Sequence, residues 1–278
     1  MLEFVVKKEE ELLQFLYNNL DKYTKKEIKN LLIHGSVLVD SHVVTKHNYL
    51  LKNNQIVKIN IYNKSKNIDI IYEDDDIIVV NKKEGILTIS TDNNNEITMY
   101  NLVSEYVKNK NKKNKIFIIH RLDKETSGVL MFAKNDKTKY LYQDNWDNIV
   151  IKREYIAIVN GKTKNSGTIK SYLTENKNHY VYSSNNGKLA ITHYKKIKEN
   201  NNYTWLLIDI DTGRKNQIRV HLKELGNPIV GDIKYGKKNI KYNRLCLHAS
   251  KLIITNPITK KIMEFEANIP LEFKLEKF

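Results

Sequence analysis

The stretch Ile119-His120-Arg121-Leu122-Asp123-Lys124-Glu125-Thr126-Ser127-Gly128 decides how the rest of the 278-residue chain is read. The apolar run Ile116-Phe117-Ile118-Ile119 leads into it, and Val129-Leu130-Met131-Phe132-Ala133 leads out. Between them every residue but Leu122 is polar, charged or glycine, the layout of two strands that present a loop. Asp123 is the only aspartate of that loop. On residue types alone the simplest reading is a charged turn in which Asp123 caps the backbone, with Lys124 and Glu125 facing solvent.

Two better-known loops are excluded by spacing. A protein-kinase catalytic loop reads His-Arg-Asp without an intervening leucine, and neither a glycine-rich phosphate loop nor Asp-Phe-Gly accompanies it. A Gly-x-Ser-x-Gly elbow around Ser127 fails because Glu125 occupies the first glycine position.

Composition narrows the class. With 41% hydrophobic residues the chain can bury a sizeable core. Its apolar runs are short and broken by charge, so none reads as a membrane-spanning helix, and the start Met1-Leu2-Glu3-Phe4-Val5-Val6-Lys7-Lys8 lacks the order of a signal peptide. The single cysteine, Cys246, excludes an internal disulfide and a cysteine-cluster metal site, as suits a reducing cytoplasm, and lies between two leucines like a buried, inert thiol. A net charge of +15 and a pI near 9.5 favour a polyanionic partner, nucleic acid before membrane.

Residues 1–62 read as a small separate module. Leu12, Leu13, Phe15, Leu16 and Leu20 recur at helical spacing; a second helix opens at Thr24 with Glu27 completing a capping box, turns Ile28, Leu31 and Leu32 to one face, and stops at Gly35. Strands follow at Val37–Val39 and Val43–Val44, turning through Asp40-Ser41, and then at Gln55–Ile61. This module carries nine lysines against seven acids, so +13 of the net charge falls in the remainder of the chain. A short polar linker at residues 62–67 leads to the larger domain, residues 68–278.

There, strands are expected at Ile68–Tyr72 and Ile77–Val80, joined through Glu73-Asp74-Asp75-Asp76, which reads as a solvated hairpin turn rather than a metal site. A polar loop at 91–96 precedes an amphipathic helix marked by Met99, Leu102, Val103, Tyr106 and Val107, and a lysine-rich tract over 108–115, usually just a solvated loop but placed to grip phosphates. Arg153-Glu154-Tyr155-Ile156-Ala157-Ile158-Val159-Asn160-Gly161 alternates as a strand, with Tyr155 a core or edge aromatic on pattern alone. Further strands at Thr168–Leu173, Leu189–Ile197 and Tyr203–Ile210 form an antiparallel series. In Thr212-Gly213-Arg214-Lys215-Asn216-Gln217-Ile218-Arg219-Val220-His221-Leu222 the spacing of Ile218, Leu222 and Leu225 predicts one buried helical face with Arg219 off it.

His-Arg-Leu-Asp-x-x-Thr-Ser-Gly resembles the catalytic motif of the RluA-type RNA pseudouridine synthases, in which the aspartate at the Asp123 position is essential. The strand around Tyr155 is similar to the family's second motif, whose tyrosine stacks on the target base, and Gly213-Arg214 through His221 to its third, whose arginine, here Arg219, pairs with the aspartate. Lys82-Lys83-Glu84-Gly85 lacks the family's proline, and Asn216 stands where histidine is common. Gly226-Asn227-Pro228-Ile229-Val230-Gly231-Asp232 and Arg244-Leu245-Cys246-Leu247-His248-Ala249 also match. Residues 23–39 resemble the RNA-binding module of small-subunit ribosomal protein four, with Thr24-Lys25 in place of Ser-Arg.

The resemblance implies an α+β fold: a central mixed, mainly antiparallel sheet with flanking helices and the site in a cleft across it, plus a small N-terminal α/β RNA-binding domain. It implies an isomerase with Asp123, Tyr155 and Arg219 as catalytic residues, and with His120, Arg121, Arg214, Lys25, Lys26 and Lys29 on RNA. The eight histidines are scattered, no metal set is apparent, and the chemistry needs no cofactor. Asp123 attacking the anomeric carbon and Asp123 taking a ribose proton are both open, as is Tyr155 as a base. Ribosomal RNA is the first expectation for the substrate and transfer RNA the second; the default is a cytoplasmic monomer without membrane contact. The rival reading is a catalytically idle RNA-binding or ribosome-assembly protein.

Overall fold

The computed structural model describes residues 2–21, 23–33, 35–59, 68–90, 97–237, 239 and 242–273. The expected linker at 62–67, the end of the strand at 60–61 and the loop at 91–96 lie outside them. The chain divides into two compact units, Met1–Asn67 with Ser90–Ile97, and Ile68–Ile89 with Thr98–Phe278.

In the first unit, strands β1 (Leu2–Val5), β2 (Glu10–Glu11), β3 (Val37–Val39), β4 (His42–Val43), β5 (Leu50–Leu51) and β6 (Ile56–Ile59) accompany helices α1 (Leu12–Asn19) and α2 (Lys25–Ile33). The helical spacing has a direct physical outcome: Leu12, Phe15, Leu16, Leu20, Ile28 and Leu32 pack with Val37, Val39, Val57 and Ile59 in one core. Thr24 and Glu27 cap α2 reciprocally, the Glu27 N–H donating to Thr24 Oγ1 (3.3 Å) and the Thr24 N–H to Glu27 Oε2 (2.8 Å). Beyond the helix Gly35 takes φ +65°. Asp40 and Ser41 both adopt positive φ in the tight β3–β4 turn. The sheet order β1-β6-β3-β4 gives the N-terminal residues a strand that the pattern had not shown.

The second unit is built on an 11-stranded sheet of order β13-β12-β14-β15-β11-β16-β10-β8-β7, with β17 also paired to β16 and β9 to β10. Its strands are β7 (Asp69–Glu73), β8 (Ile77–Lys82), β9 (Phe117–Ile118), β10 (Ser127–Ala133), β11 (Val150–Asn160), β12 (Ser166–Glu175), β13 (Val181–Ser183), β14 (Lys188–Glu199), β15 (Tyr203–Ile210), β16 (Leu247–Thr255) and β17 (Ile262–Glu266). Helices α3 (Met99–Lys110), α4 (Asp136–Asp144), α5 (Trp146–Ile149) and α6 (Gln217–Glu224) complete it. Every pairing is antiparallel except β10 with β16, where Ser127 faces His248 and Gly128 faces Ala249. This is the mixed, mainly antiparallel α+β sheet the sequence led us to expect.

The parallel pairing explains the glycine that closes the opening stretch. Gly128 has φ +117°, and a Cβ there would lie 2.0 Å from the Ala249 carbonyl oxygen, so no side chain fits. All of β10 is buried, between Ile77–Lys82 on one edge and β16 on the other. The acids between β7 and β8 are occupied by local structure: Asp74 Oδ1 accepts the Asp76 and Ile77 amides, and Asp76 Oδ1 accepts from Asn135 and Thr138 at the start of α4. Of the lysine-rich tract, Lys110 pairs with Glu73 at 2.8 Å. Among the described residues no helix is long and apolar enough to cross a membrane.

The α6 expectation needs correcting. Gln217 through Leu222 are all buried, Arg219 included, whereas Leu225 is 40% exposed. The helix is wrapped rather than laid on a surface: Ile218 and Leu222 enter the main core, Val220 packs with Leu173, Val181 and Tyr235, and Gln217 and His221 bond to Thr192 on β14.

Candidate active site

The loop between β9 and β10 is pinned on both sides of Asp123. The Thr88 hydroxyl donates to the Leu122 carbonyl (2.9 Å) and accepts from the Leu122 amide (3.1 Å). The Lys124 carbonyl accepts from the Gly85 amide (2.9 Å) and from Lys82 Nζ (3.1 Å). The turn closes with the Thr126 N–H on the Asp123 carbonyl. The Asp123 side chain is therefore aimed by its neighbours' backbone.

Asp123 lines two connected spaces. A small cavity of about 80 Å³ gathers Asp123, Tyr155, Arg219, Arg121 and Arg214 against Ile218 and Leu247. Outside it a cleft of about 540 Å³ carries Lys124, Lys215, Lys234 and Arg244. Arg121, Asp123, Asn216 and Arg219 belong to both, so Asp123 stands where they meet. Burial raises its pKa above the usual value of 3.8, and the Glu125 charge adds to this; Arg219, then Arg121 and the Asn216 peptide N–H, oppose it. Desolvation outweighs the cations.

Arg219 acts on Asp123 differently from the direct pair expected. Its Nε and Nη2 are both taken by Asp232 at 2.8 Å, and its Nη1 reaches Asn216 Oδ1 (3.1 Å) and Glu125 Oε2 (3.3 Å). The fork geometry of the guanidinium matches one carboxylate, and that carboxylate is Asp232. Asp123 feels the charge through space. Asp232 also accepts the Lys234 and Tyr235 amides on Oδ1, so one buried carboxylate organises both the turn and the arginine. Gly231, just before it, has φ +76° and a Cβ position 1.9 Å from the Arg244 carbonyl oxygen.

Asn216, the cap of α6, is held in the left-handed region at φ +53°. Asparagine tolerates that backbone, and both ends of its amide are used, Oδ1 by Arg219 and Nδ2 by the Tyr235 hydroxyl.

Tyr155 comes from β11, opposite Ala249 on β16 and Ile208 on β15. The β11–β16 register shifts between Glu154 and Tyr155, a bulge that leaves Ser250 without a partner strand residue and re-aims the tyrosine. Burial, with the Asp123 charge adding to it, pushes the phenol up to about 12. At neutral pH it is a protonated ring face.

His120 departs from its expected role on RNA. Its ring stacks on Trp146 at 4.8 Å and its Nε2 accepts the Met131 amide at 3.1 Å, and burial pulls its pKa down to about 3. It anchors the loop to β10 as a neutral ring. Arg121 is exposed and, among the described residues, has no hydrogen-bond or ion-pair partner; Arg214 donates Nε to the Leu189 carbonyl and leaves its outer nitrogens toward the cavity. Lys25, Lys26 and Lys29 are exposed on α2 of the other unit.

Three further residues carry the site. Lys82 is fully buried, its Nζ donating to the Lys83, Ile86 and Lys124 carbonyls; burial pulls it down to about 8 against the pull of Asp123, Glu125 and Glu84. Thus the turn without the usual proline is tied by its own lysine. Arg244 joins three segments, donating Nη2 to Ser127 Oγ (2.6 Å) and Nη1 to Glu84 (2.9 Å) and Glu272 (3.1 Å). Asp232 is the third. All three stand in motifs legible in the sequence, but each also has a partner well away along the chain: Lys82 at Lys124, Arg244 at Ser127 and Asp232 at Arg219. Cys246 is buried, its thiol pushed up to about 12. No group of histidine, cysteine and carboxylates able to hold a metal occurs among the described residues.

Residues 76–224 match the family model described as RNA pseudouridylate synthase. The chain is 32% identical to the Ribosomal large subunit pseudouridine synthase D of Buchnera aphidicola, over 92% of this chain and 89% of that protein. It is 38% identical to the Ribosomal large subunit pseudouridine synthase C of Rickettsia felis over 73% of this chain and 68% of that one. Among solved structures, Human RNA Pseudouridylate Synthase Domain Containing 4 superposes with a TM-score of 0.62 at 22% identity, covering 74% of this chain and 90% of that one, a likeness of fold. With more than half of the chain inside the family model and relatives above 30% identity along nearly its whole length, the chain belongs to the RNA pseudouridylate synthase family and is an isomerase.

Proposed function

We propose that this chain converts uridine to pseudouridine in large-subunit ribosomal RNA, with Asp123 as the essential carboxylate. One observation carries the assignment: among the described residues Asp123 is the only acid lining the small cavity, where it meets Tyr155 and Arg219. The relatives named for the large ribosomal subunit supply the substrate class.

In this reaction the bond from uracil N1 to ribose C1′ breaks, the base turns, and a bond from C5 to C1′ forms. The C5 proton leaves and N1 gains one, so neither an oxidant nor a phosphoryl donor is needed. Asp123 either attacks C1′ or removes a ribose proton; both require its ionised form. Arg219, positioned by Asp232, holds that ionised form against desolvation. Tyr155 offers its protonated ring as the surface on which the detached uracil stacks and turns. With the phenol neutral, Asp123 is, among the described residues, the one carboxylate of the cavity that can receive the C5 proton. The target uridine enters by leaving its stack, because C1′ and N1 are covered in a helix.

Arg121 and Arg214 bind phosphates at the mouth, and Lys25, Lys26 and Lys29 on α2 add a second RNA contact in a domain of ribosomal-protein-four type spanning residues 1–62, ahead of a catalytic domain over 68–278. The protein acts as a cytoplasmic monomer. Supplying ribosomal and transfer RNA labelled with tritium at uridine C5, separately, tests the substrate: release from ribosomal RNA alone is expected. Release from transfer RNA alone moves the substrate, and RNA binding without any release supports an idle binding protein.

A further inference from the structure

A third space lies on the same face of the sheet as the catalytic cavity. It measures about 490 Å³ and is lined by Leu173, Thr174 and Glu175 of β12, Val181 of β13, Asn186-Gly187-Lys188 entering β14, and Gly213-Arg214-Lys215 before α6. The register fixes its side of the sheet. Tyr155 faces Ile208, Ile208 faces Tyr194, and alternation along β14 brings Thr192, Ala190 and Lys188 to that same face. Gly213 and Arg214 line both this groove and the catalytic cavity, and Lys215 lines both the groove and the outer cleft. The spaces are therefore adjoining, with Arg214 as the shared wall.

The groove has the chemistry of a phosphodiester site. Its cations are Lys188, Arg214 and Lys215, and Glu175, its one acid among the described residues, is paired with Lys215 and hydrogen-bonded to His179 Nδ1. Arg214 is oriented by its Nε bond to the Leu189 carbonyl, which leaves two nitrogens for a ligand. Lys188 is exposed and, among the described residues, has no hydrogen-bond or ion-pair partner. At Gly187 a Cβ would fall 2.5 Å from the backbone of Leu173, so this wall stays bare of side chains, and the floor, Leu173 and Val181, is apolar. A cationic rim over an apolar floor suits a nucleotide, sugar and base below and phosphate above.

From this juxtaposition we infer that the groove between β12, the β14 start and Arg214-Lys215 holds the single-stranded nucleotide flanking the target uridine, its phosphodiester on Lys188 and Arg214. The inference rests on the RNA synthase reading and adds to it the path of the strand. RNA bound here cannot remain base-paired at that nucleotide, so the groove selects uridines next to unpaired residues.

The test uses the full chain carrying Asp123→Asn, titrated with a fluorescent oligouridylate across a range of salt concentrations. Lys188→Gln is compared with Lys170→Gln, which removes the same charge from the opposite face of β12, one residue before the inward-facing Ser171. Lys188→Gln is expected to weaken binding several-fold and to reduce the slope of log affinity against log salt by about 0.7, one phosphate contact on a single strand, with Lys170→Gln leaving the slope in place. Equal effects of the two variants, or none from Lys188→Gln, overturn the groove. Tritium release by the unsubstituted chain from ribosomal RNA is measured beside it, so that a failed groove and a failed synthase reading give different results.

Discussion

Arg219→Met removes two things at once, and the structure says how to separate them. The guanidinium neutralises Asp232, whose side chain has no exposure, and it also supports the ionised form of Asp123. Deleting one partner of a buried pair leaves an uncompensated charge, at about 3–5 kcal/mol. For a unit of this size each kcal/mol lowers Tm by roughly 2–4 °C, so the single variant should melt about 6–20 °C lower. Adding Asp232→Asn removes the stranded charge while keeping the Oδ1 that accepts the Lys234 and Tyr235 amides. The double variant should therefore recover most of that loss, with a coupling on the order of 3 kcal/mol. Its activity should not recover, because Asp123 still lacks its strongest opposing cation. Calorimetry and tritium release on the two single variants and the double complete the cycle. Two results refute the reasoning: additive melting losses, which would deny the buried pair, or restored turnover in the double variant, which would mean that Arg219 serves only Asp232.

Other outcomes follow from the same contacts. Turnover requires Asp123 ionised, and its pKa lies above 3.8, so activity should fall as pH drops through a point above the ordinary aspartate range; Glu125→Gln, removing a like charge, should move that acid limb down, as a pH–rate profile would show. Lys82 titrates near 8 when folded and near 10.5 when unfolded, so the unfolded chain binds the extra proton between those values. Stability relative to Lys82→Met should therefore rise with pH across that window, by up to about 1.4 kcal/mol per pH unit, in denaturant titrations at several pH values. Gly128→Ala places a methyl group on the Ala249 carbonyl in a backbone region that alanine avoids, and should cost on the order of 3 kcal/mol or more, read as a lowered Tm. His120→Asn should leave RNA affinity unchanged in anisotropy titrations, since the ring faces Trp146 and β10.

Local regularity was the legible part. Ile116–Ile119 and Val129–Ala133 announced strands because each is an apolar run bounded by polar residues, although the first forms only the short, half-buried β9 while the second is buried throughout, and Thr24 with Glu27 announced a helix start because capping is a contact between near neighbours. The helix around Arg219 departs from its one-faced pattern for a physical reason: amphipathic spacing assumes one buried face, whereas Gln217 through Leu222 are covered by β14, the Asp232 turn and the main core, and only the last turn of α6, Lys223 and Glu224, is exposed. The bidentate partner of Arg219 lies 13 residues away, and Lys82 reaches the Lys124 carbonyl across 42, so neither pairing has a periodic signature. His120 stands in the motif itself, which points to RNA, but its contacts are with Trp146 and the Met131 amide, 26 and 11 residues further along the chain, and neither contact leaves a local pattern. The Ser250 bulge that aims Tyr155 depends on the register of two strands far apart in the chain and leaves no mark in either.

The measurement that bears most directly on the central claim is tritium release from ribosomal RNA labelled at uridine C5, with the unsubstituted chain and Asp123→Asn side by side and RNA affinity determined for both. The account predicts release from the unsubstituted chain, none from Asp123→Asn, and nearly equal affinities. Turnover by Asp123→Asn, or loss of binding in parallel with loss of turnover, would contradict the role assigned to this carboxylate.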